Sequence, residues 1–153
     1  MIRTYQTVSE QDTYAFGGAL GKTLHRGDCV LLTGDLGAGK SVAARGIASA
    51  FGVTGPMPSP TFVLMIPYEG TEKIYHFDLY RLGDPDEFYQ AGLQEFVGGD
   101  GIAIVEWPDM ADLRPQNAVS VDIRRGEDDE IRVISVDGPD ALHEGLAAWR
   151  TQA

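Results

Sequence analysis

The sequence predicts an α/β fold, in which helices flank a central sheet of mixed parallel and antiparallel strands. Two buried apolar runs at residues 29–33 and 101–106 are typical of central parallel strands. Two further strand-like runs at 62–66 and 73–80 are joined by a turn too short for a parallel crossover, so they should pair antiparallel. At 153 residues, we expect one domain spanning 1–153.

A glycine-rich segment follows the first buried strand. Residues 34–41 read GDLGAGKS, which has the G-x-x-x-x-G-K-S form of a P-loop, and apolar residues at helical spacing follow it. In such a loop Gly37 and Gly39 let backbone N–H groups turn toward a nucleotide phosphate. Lys40 would reach the β- and γ-phosphates, and the Ser41 hydroxyl would bind Mg²⁺.

The elements around the P-loop can be placed in order. Residues 2–7 alternate weakly and predict an edge strand. Ser9, with Asp12 three residues later, predicts a capped helix that runs to about His25. After the P-loop helix, the Gly- and Pro-rich residues 52–60 predict an irregular loop.

The second half of the chain predicts further helices and strands after the antiparallel pair. They are a helix opened by the acidic residues 84–87, a short helical piece at 93–97, the buried strand 101–106, strands at 118–124 and 130–136, and a closing helix from about 139 to 150.

Three oxygen-bearing side chains stand near predicted strand ends, where they could converge on the P-loop. Glu106 closes a buried strand, which is the Walker-B pattern for holding Mg²⁺, or it is a solvated residue at a strand exit. Asp78 either faces the site or belongs to the outward face of an antiparallel strand. Thr61 lies where switch loops contact a γ-phosphate, although a simple strand-start threonine fits as well. Trp107 is either a core residue or a cover for the site.

Composition narrows the possible partners and compartment. The formal net charge of −11 argues against a broad nucleic-acid surface, so a partner should hold any RNA substrate. The chain has no apolar run long enough for a membrane span and no signal-peptide pattern, and its single cysteine, Cys29, reads as a small buried hydrophobe. We therefore expect a cytoplasmic protein. The scattered histidines have no metal-ligand spacing.

The choice of base and reaction rests on absent motifs. The only asparagine, Asn117, is followed by alanine, so the N-K-x-D guanine motif is missing and ATP is favoured. A small-molecule kinase and a nucleotide-sensing module that never hydrolyses remain alternatives. The nine arginines are spread thinly, which argues against the arginine-rich lid of such a kinase.

Four motifs together resemble the bacterial TsaE (YjeE) family of small P-loop ATPases in tRNA threonylcarbamoyladenosine biosynthesis. They are GDLGAGKS at 34–41, SPTF at 59–62, YHFDLYR at 75–81 and VEWP at 105–108. The resemblance covers residues from about 9 to 108. The sequence differs from many family members at Ser41, where they have a threonine, but both side chains carry the hydroxyl group.

The resemblance implies ATP hydrolysis in support of a TsaB–TsaD complex that transfers a threonylcarbamoyl group to adenosine-37 of tRNA. It implies Mg²⁺ binding by Ser41 and Glu106 and functional positions for Thr61 and Asp78 near the γ-phosphate. The residues that it implies wrap the phosphates are Leu36, Gly37, Ala38, Gly39, Lys40 and Ser41.

The arginines suggest a dependence on partners. Arg45 and Arg81 are nearest in sequence to the motifs, and neither has a decisive placement as an arginine finger. Since such a residue supplied in trans can be worth about 10³–10⁵ in rate, we expect slow hydrolysis by the isolated protein.

Overall fold

Seven strands form one sheet in the computed structural model, which describes residues 1–58 and 64–151. In chain order, the strands of these described residues are β1 (Ile2–Thr7), β2 (Cys29–Thr33), β3 (Met65–Glu69), β4 (Lys73–Asp78), β5 (Gly101–Glu106), β6 (Val119–Arg125) and β7 (Arg132–Asp137). Their order across the sheet is β1-β7-β6-β2-β5-β4-β3. Strands β6, β2, β5 and β4 pair in parallel, while β1, β7 and β3 add antiparallel edges. The predicted mixed sheet is therefore confirmed.

The parallel strands lie at the centre because both of their faces are apolar. Every residue of β5 is buried. Ile102 and Ile104 contribute to the core on one face of the sheet, whereas Ala103 and Val105 contribute to the core on the other. Glu106 follows the parity of Ile104 and so lies on the same face.

Four α-helices cover the sheet within the described residues: α1 (Glu10–Gly21), α2 (Lys40–Ser49), α3 (Pro85–Gln90) and α4 (Asp140–Glu144). The predicted cap of α1 is confirmed, since the Ser9 side chain accepts a hydrogen bond from the Asp12 amide. Asp84 caps α3 in the same way, accepting from the Asp86 amide. Residues 93–96 form a 3₁₀ turn.

Two predicted helix lengths were wrong. Helix α1 ends at Gly21 rather than near His25, and the amides of Thr23 and Leu24 bond three residues back in a tighter turn. The closing helix is not continuous: α4 stops before Gly145, and a separate 3₁₀ turn spans Ala147–Trp149. Glycine is a poor helix former, so the break falls where local propensity is weakest.

Helices α1 and α2 pack closely through glycines. A Cβ atom on Gly46 would lie 2.3 Å from the carbonyl oxygen of Tyr14, and one on Gly17 would lie 2.6 Å from that of Ala43. Both distances are far below normal contact, so the two helix backbones approach as only glycine allows. This contact fixes α2, the helix that follows the P-loop.

The segment between α2 and β3 is described only in part. The predicted strand at 62–66 is observed as β3 from Met65 to Glu69, and it pairs antiparallel with β4 as expected. Residues 62 and 63, and Thr61 with its motif, lie outside the described residues. No helix in the described ranges is long and apolar enough to cross a membrane.

Candidate phosphate-binding site

The P-loop connects β2 to α2 and has glycine at the positions where φ is positive. Gly34, Gly37 and Gly39 have φ angles of 140°, 80° and 113°, all in a region that favours glycine. A Cβ atom on Gly34 would also lie 2.3 Å from the carbonyl oxygen of Ile123 on β6. The loop therefore needs glycine both for its conformation and for its contact with the neighbouring strand.

Several amides of the loop have no hydrogen-bond partner within residues 1–58 and 64–151. Among the hydrogen bonds of the described residues, none uses the amide N–H of Gly37, Gly39, Lys40 or Ser41 as donor. Unbonded donors at the start of a ten-residue helix carry partial positive charge, which the helix dipole increases. Such a cluster of donors is suited to an anion such as a phosphate.

Lys40 adds a buried cation to these donors. The residue is only 4% exposed, and its Nζ donates to the carbonyl oxygens of Gly34 and Asp35 at 2.6 and 2.7 Å. The same Nζ lies 4.4 Å from the centroid of the Trp107 ring, within the range of a cation–π contact. Burial lowers the pKa of the Lys40 ammonium, and the nearby carboxylates, Glu106 first, oppose that shift.

Glu106 is held at both of its carboxylate oxygens. Oε1 accepts a hydrogen bond from Ser41 Oγ at 3.1 Å, and Oε2 lies 2.7 Å from Nε2 of His76. Glu106 is 3% exposed and His76 is 1% exposed. The structure thus brings Ser41 and Glu106 together, although 65 residues separate them in the chain. A buried Glu106 does not fit the alternative of a solvated strand-exit residue.

Asp78 lies beside Glu106 at the carboxyl edge of the sheet. The two residues are register partners in the parallel pair β4–β5, and the Asp78 Oδ1 accepts from the Tyr80 amide at 3.1 Å. Strand β4 ends at Asp78, so the predicted strand to Tyr80 is two residues too long. Asp78 lines the cavity described next, which does not fit the alternative of an outward strand face.

A cavity of about 450 Å³ opens in front of these groups. Its volume is in the range of small-molecule sites. Its lining brings together P-loop residues and the ends of β4 and β5: Leu36, Gly37, Gly39, Lys40, Ser41, Val42, Asp78, Tyr80, Arg81, Glu106 and Trp107. The sequence-predicted Ala38 is buried behind this surface, and Thr61 lies outside the described residues.

The oxygen atoms of Ser41 and Glu106 fit a magnesium ion. Mg²⁺ prefers hard oxygen ligands and usually keeps several waters or substrate oxygens in its shell. Within the described residues no group of three or more His, Cys, Asp and Glu side chains could hold a metal. Two protein oxygens beside a phosphate cradle suit an ion that is completed by phosphate and water.

Two aromatic rings form one wall of the cavity. The rings of Tyr80 and Trp107 have centroids 4.9 Å apart at an interplanar angle of 46°. Trp107 adopts a φ of 59°, which turns the chain sharply after β5. The structure supports both alternatives for Trp107: the residue packs against the core on one face of the sheet, and its ring lines the cavity against Lys40.

Sequence reasoning missed several side chains at this site. His76 was treated as one of three scattered histidines, yet it contacts Glu106. Arg81 lines the cavity, and Arg125 and Arg132 donate to P-loop carbonyl oxygens. Sequence reasoning named only Arg45 and Arg81 as arginines near the motifs, and Arg125 and Arg132 were not considered. The available signals were the alternation of residues 76 and 78 on one strand and the adjacent arginines at 124 and 125.

Comparison with known proteins places the chain in a family. The family model described as "Threonylcarbamoyl adenosine biosynthesis protein TsaE" matches residues 7–134. The chain belongs to the TsaE family. The match confirms the resemblance carried by the four motifs, and it extends past them through most of the β6–β7 hairpin.

Individual TsaE relatives support the assignment. The tRNA threonylcarbamoyladenosine biosynthesis protein TsaE of Treponema pallidum (strain Nichols) is 38% identical over 117 residues, covering 76% of this chain and 87% of the relative. The protein of the same name from Bacillus subtilis (strain 168) is 36% identical over 128 residues, covering 82% and 80%.

The fold also matches a solved structure. The crystal structure of Bacillus subtilis YdiB superposes with a TM-score of 0.79 at 29% identity, covering 97% of this chain and 95% of that one. This chain therefore has a P-loop NTPase fold, as the sequence predicted.

Proposed function

We propose that this TsaE family member is a Mg²⁺-dependent ATP-binding and ATP-hydrolysing protein of tRNA threonylcarbamoyladenosine biosynthesis. In this proposal it supports a TsaB–TsaD complex that threonylcarbamoylates adenosine-37 of tRNA. The observation that carries the proposal is the 3.1 Å hydrogen bond between Ser41 and Glu106. Both residues line the same cavity as the P-loop. This arrangement joins a candidate pair of metal ligands to a candidate phosphate cradle.

The P-loop residues bind the phosphates in this proposal. Their amides supply neutral donors, and Lys40 supplies the cation that the β- and γ-phosphates need. Nζ now donates two of its three N–H groups to the carbonyl oxygens of Gly34 and Asp35, which leaves a third for a phosphate. The residues concerned are Leu36, Gly37, Ala38, Gly39, Lys40 and Ser41.

Ser41 and Glu106 hold Mg²⁺, and Lys40, Asp78, Glu106 and Thr61 are the proposed catalytic residues. When bound, the ion neutralises charge that develops on the transferred phosphoryl group. Asp78 lies next to Glu106 in register, so its carboxylate is near enough to orient a water in the same cavity. Thr61 is proposed to contact the γ-phosphate, on the strength of the family motif and of its position in the loop that follows the P-loop helix.

The TsaB–TsaD partnership follows from the family and from charge. Relatives carry the name tRNA threonylcarbamoyladenosine biosynthesis protein, which ties them to a tRNA modification. With a net charge of −11 this chain is poorly suited to grip tRNA itself. Partners that hold the tRNA resolve this conflict. Neither a small-molecule kinase nor a non-hydrolysing sensor has a specific observation in its favour.

Substitution of Lys40 tests the phosphate site. Lys40→Ala should weaken Mg·ATP binding by about 100-fold or more, because a charge-assisted contact to two phosphates is lost. Titration calorimetry at constant ionic strength measures this. Lys73→Ala is the matched control, since it removes an exposed lysine that pairs with Asp100 at the start of β4. Equal affinity in Lys40→Ala and wild type would refute the P-loop assignment.

A further inference from the structure

The β6–β7 hairpin reaches the P-loop with two arginine side chains. Arg132 Nε donates to the carbonyl oxygen of Ala38 at 2.7 Å, and Arg125 Nη2 donates to that of Gly37 at 3.3 Å. The two arginines are register partners across the hairpin. A part of the chain without a recognised motif thus contacts two consecutive peptide groups of the phosphate cradle.

Arg132 is the better anchored of the two. Its Nη1 also donates to the carbonyl oxygens of Asp129 and Ile131, at 2.5 and 3.0 Å, so one planar guanidinium joins three backbone carbonyls. The side chain is half-buried, whereas Arg125 is exposed and makes a longer single contact to the loop. A side chain fixed by several hydrogen bonds, such as Arg132, can hold a backbone segment in place. An exposed side chain with a single long contact, such as Arg125, does so poorly.

The contact from Arg132 sets the orientation of the Ala38–Gly39 peptide group, and this orientation matters for phosphate binding. A trans peptide is planar, with its C=O and N–H pointing in opposite directions. Because the Ala38 carbonyl is held toward the hairpin, the N–H of Gly39 in the same peptide faces the opposite way, among the unbonded P-loop amides. Gly39 has a φ of 113° and the freedom of glycine, so this peptide could otherwise rotate.

We propose that Arg132 is a positioning residue for phosphate binding, which fixes the Ala38–Gly39 peptide so that the Gly39 amide already faces the phosphate site. The inference rests on the proposed function for its ligand, the phosphates of a nucleotide. Its energetic basis is preorganisation: the ordering cost of the loop is met during folding rather than at binding. The β6–β7 hairpin then belongs to the nucleotide site although it contributes no residue to the cavity lining described above.

ADP titration in three variants tests this role. Arg132→Gln should weaken ADP binding by about tenfold, because it removes the charge-assisted hydrogen bond to the loop. Arg132→Lys retains the cation but cannot join three carbonyls, so it should remain about threefold or more weaker than wild type. Arg124→Gln is the charge-matched control from the same hairpin. The Arg124 side chain is 79% exposed and pairs with Asp122, and the ADP affinity of this variant should stay within about twofold of wild type.

Amide hydrogen exchange in the nucleotide-free protein supplies a readout that does not depend on nucleotide binding. The Ala38 amide donates to Asp35 within the loop, and the Ala43 amide donates to Gly39. Both should exchange faster in the two Arg132 variants and remain unchanged in Arg124→Gln. The Ile47 amide, deep in α2, should keep wild-type exchange and so report that the fold is intact.

The outcomes separate this inference from the proposed function. A folded Arg132→Gln protein with wild-type ADP affinity overturns the inference, and so does full recovery in Arg132→Lys, which would leave charge alone as the cause. If Arg132→Gln does not fold, Arg132→Lys decides by the same criteria. If the wild type binds no ADP, the proposed function fails, and exchange at Ala38 alone decides whether Arg132 orders the loop.

Discussion

The Nε2 atom of His76 lies 2.7 Å from Oε2 of Glu106, and both side chains are almost fully buried. The other carboxylate oxygen of Glu106 accepts from Ser41. The carboxylate is therefore held on one side by β4 and presented on the other to the P-loop helix. We therefore expect His76 to act on the site through Glu106, by orienting a candidate metal ligand.

Replacing His76 should change metal affinity according to whether a donor remains. His76→Leu should weaken Mn²⁺ binding to the ADP complex by about tenfold, because the carboxylate loses the partner that orients it. His76→Gln retains an N–H donor and should lose less. Electron paramagnetic resonance of Mn²⁺, used in place of Mg²⁺, measures both affinities. Equal Mn²⁺ affinity in His76→Leu and wild type would remove His76 from the metal site.

Glu106→Gln should reduce ATP hydrolysis far more than ATP binding. The P-loop amides and Lys40 still hold the phosphates, whereas stabilisation of developing charge through the metal is impaired, so the rate should fall by about 100-fold. Phosphate release and nucleotide affinity are measured on the same preparation. If the variant hydrolysed ATP at the wild-type rate with its partners present, Glu106 would have a structural role only.

The sequence predicts those parts of the fold whose signals are local. Strands β2 and β5 are short and mostly apolar, and the Ser9 cap marks the start of α1, so these elements lie where we expected them. The closing helix was predicted as continuous from its helical apolar spacing, which outweighed the break at Gly145 and could not reveal the tertiary contacts made after it. The Trp149 indole N–H donates to Asp12, and the backbone of Arg150 forms an isolated antiparallel β-bridge with Tyr5. These contacts hold the end of the chain against β1 and α1.

Gly46→Ala should destabilise the protein by about 1–3 kcal/mol. Its Cβ would lie 2.3 Å from the Tyr14 carbonyl oxygen, so α1 and α2 would have to separate. Gly18→Ala is the matched control, because a Cβ there meets its nearest atom at 3.6 Å and alanine favours helix by about 0.5–1 kcal/mol. Urea unfolding measures both free energies. Two variants of equal stability would contradict the close helix contact.

The hydrogen bond from Tyr75 to Asp100 should make stability fall at alkaline pH. The Tyr75 hydroxyl donates to Asp100 Oδ1 at 2.6 Å, and this bond, together with burial, raises the pKa of Tyr75 to about 12. Because the folded pKa is raised, the contribution is complete below the unfolded pKa of about 10 and is lost as pH rises from about 10 to 12.

Tyr75→Phe isolates this contribution. At pH 8 the variant should be less stable than wild type by about 1 kcal/mol, and the difference should shrink as pH approaches 12. Urea unfolding of both proteins at several pH values gives the difference directly, and the alkaline titration of other tyrosines cancels in the comparison. A difference that stays constant with pH would show that the hydroxyl does not titrate as its hydrogen bond requires.

The candidate site was predictable where residue types carry their own chemistry. Lys40 and Ser41 belong to a motif, and Glu106 ends a buried strand, so their convergence was expected and is observed. Arg132 and His76 were missed because their roles depend on contacts across 94 and 30 residues. Arg125 and Arg132 bond backbone carbonyl oxygens of the P-loop, so the expectation that a partner supplies a transition-state arginine stays a prediction.

Steady-state phosphate release, with and without the TsaB–TsaD pair, tests the central claim most directly. The isolated protein should hydrolyse ATP slowly, and the pair should raise its rate with increasing partner concentration. Glu106→Gln in the same mixture should remove the stimulated rate, which assigns the turnover to this chain rather than to its partners. Fast hydrolysis by the isolated protein, unchanged when TsaB and TsaD are added, would contradict the account.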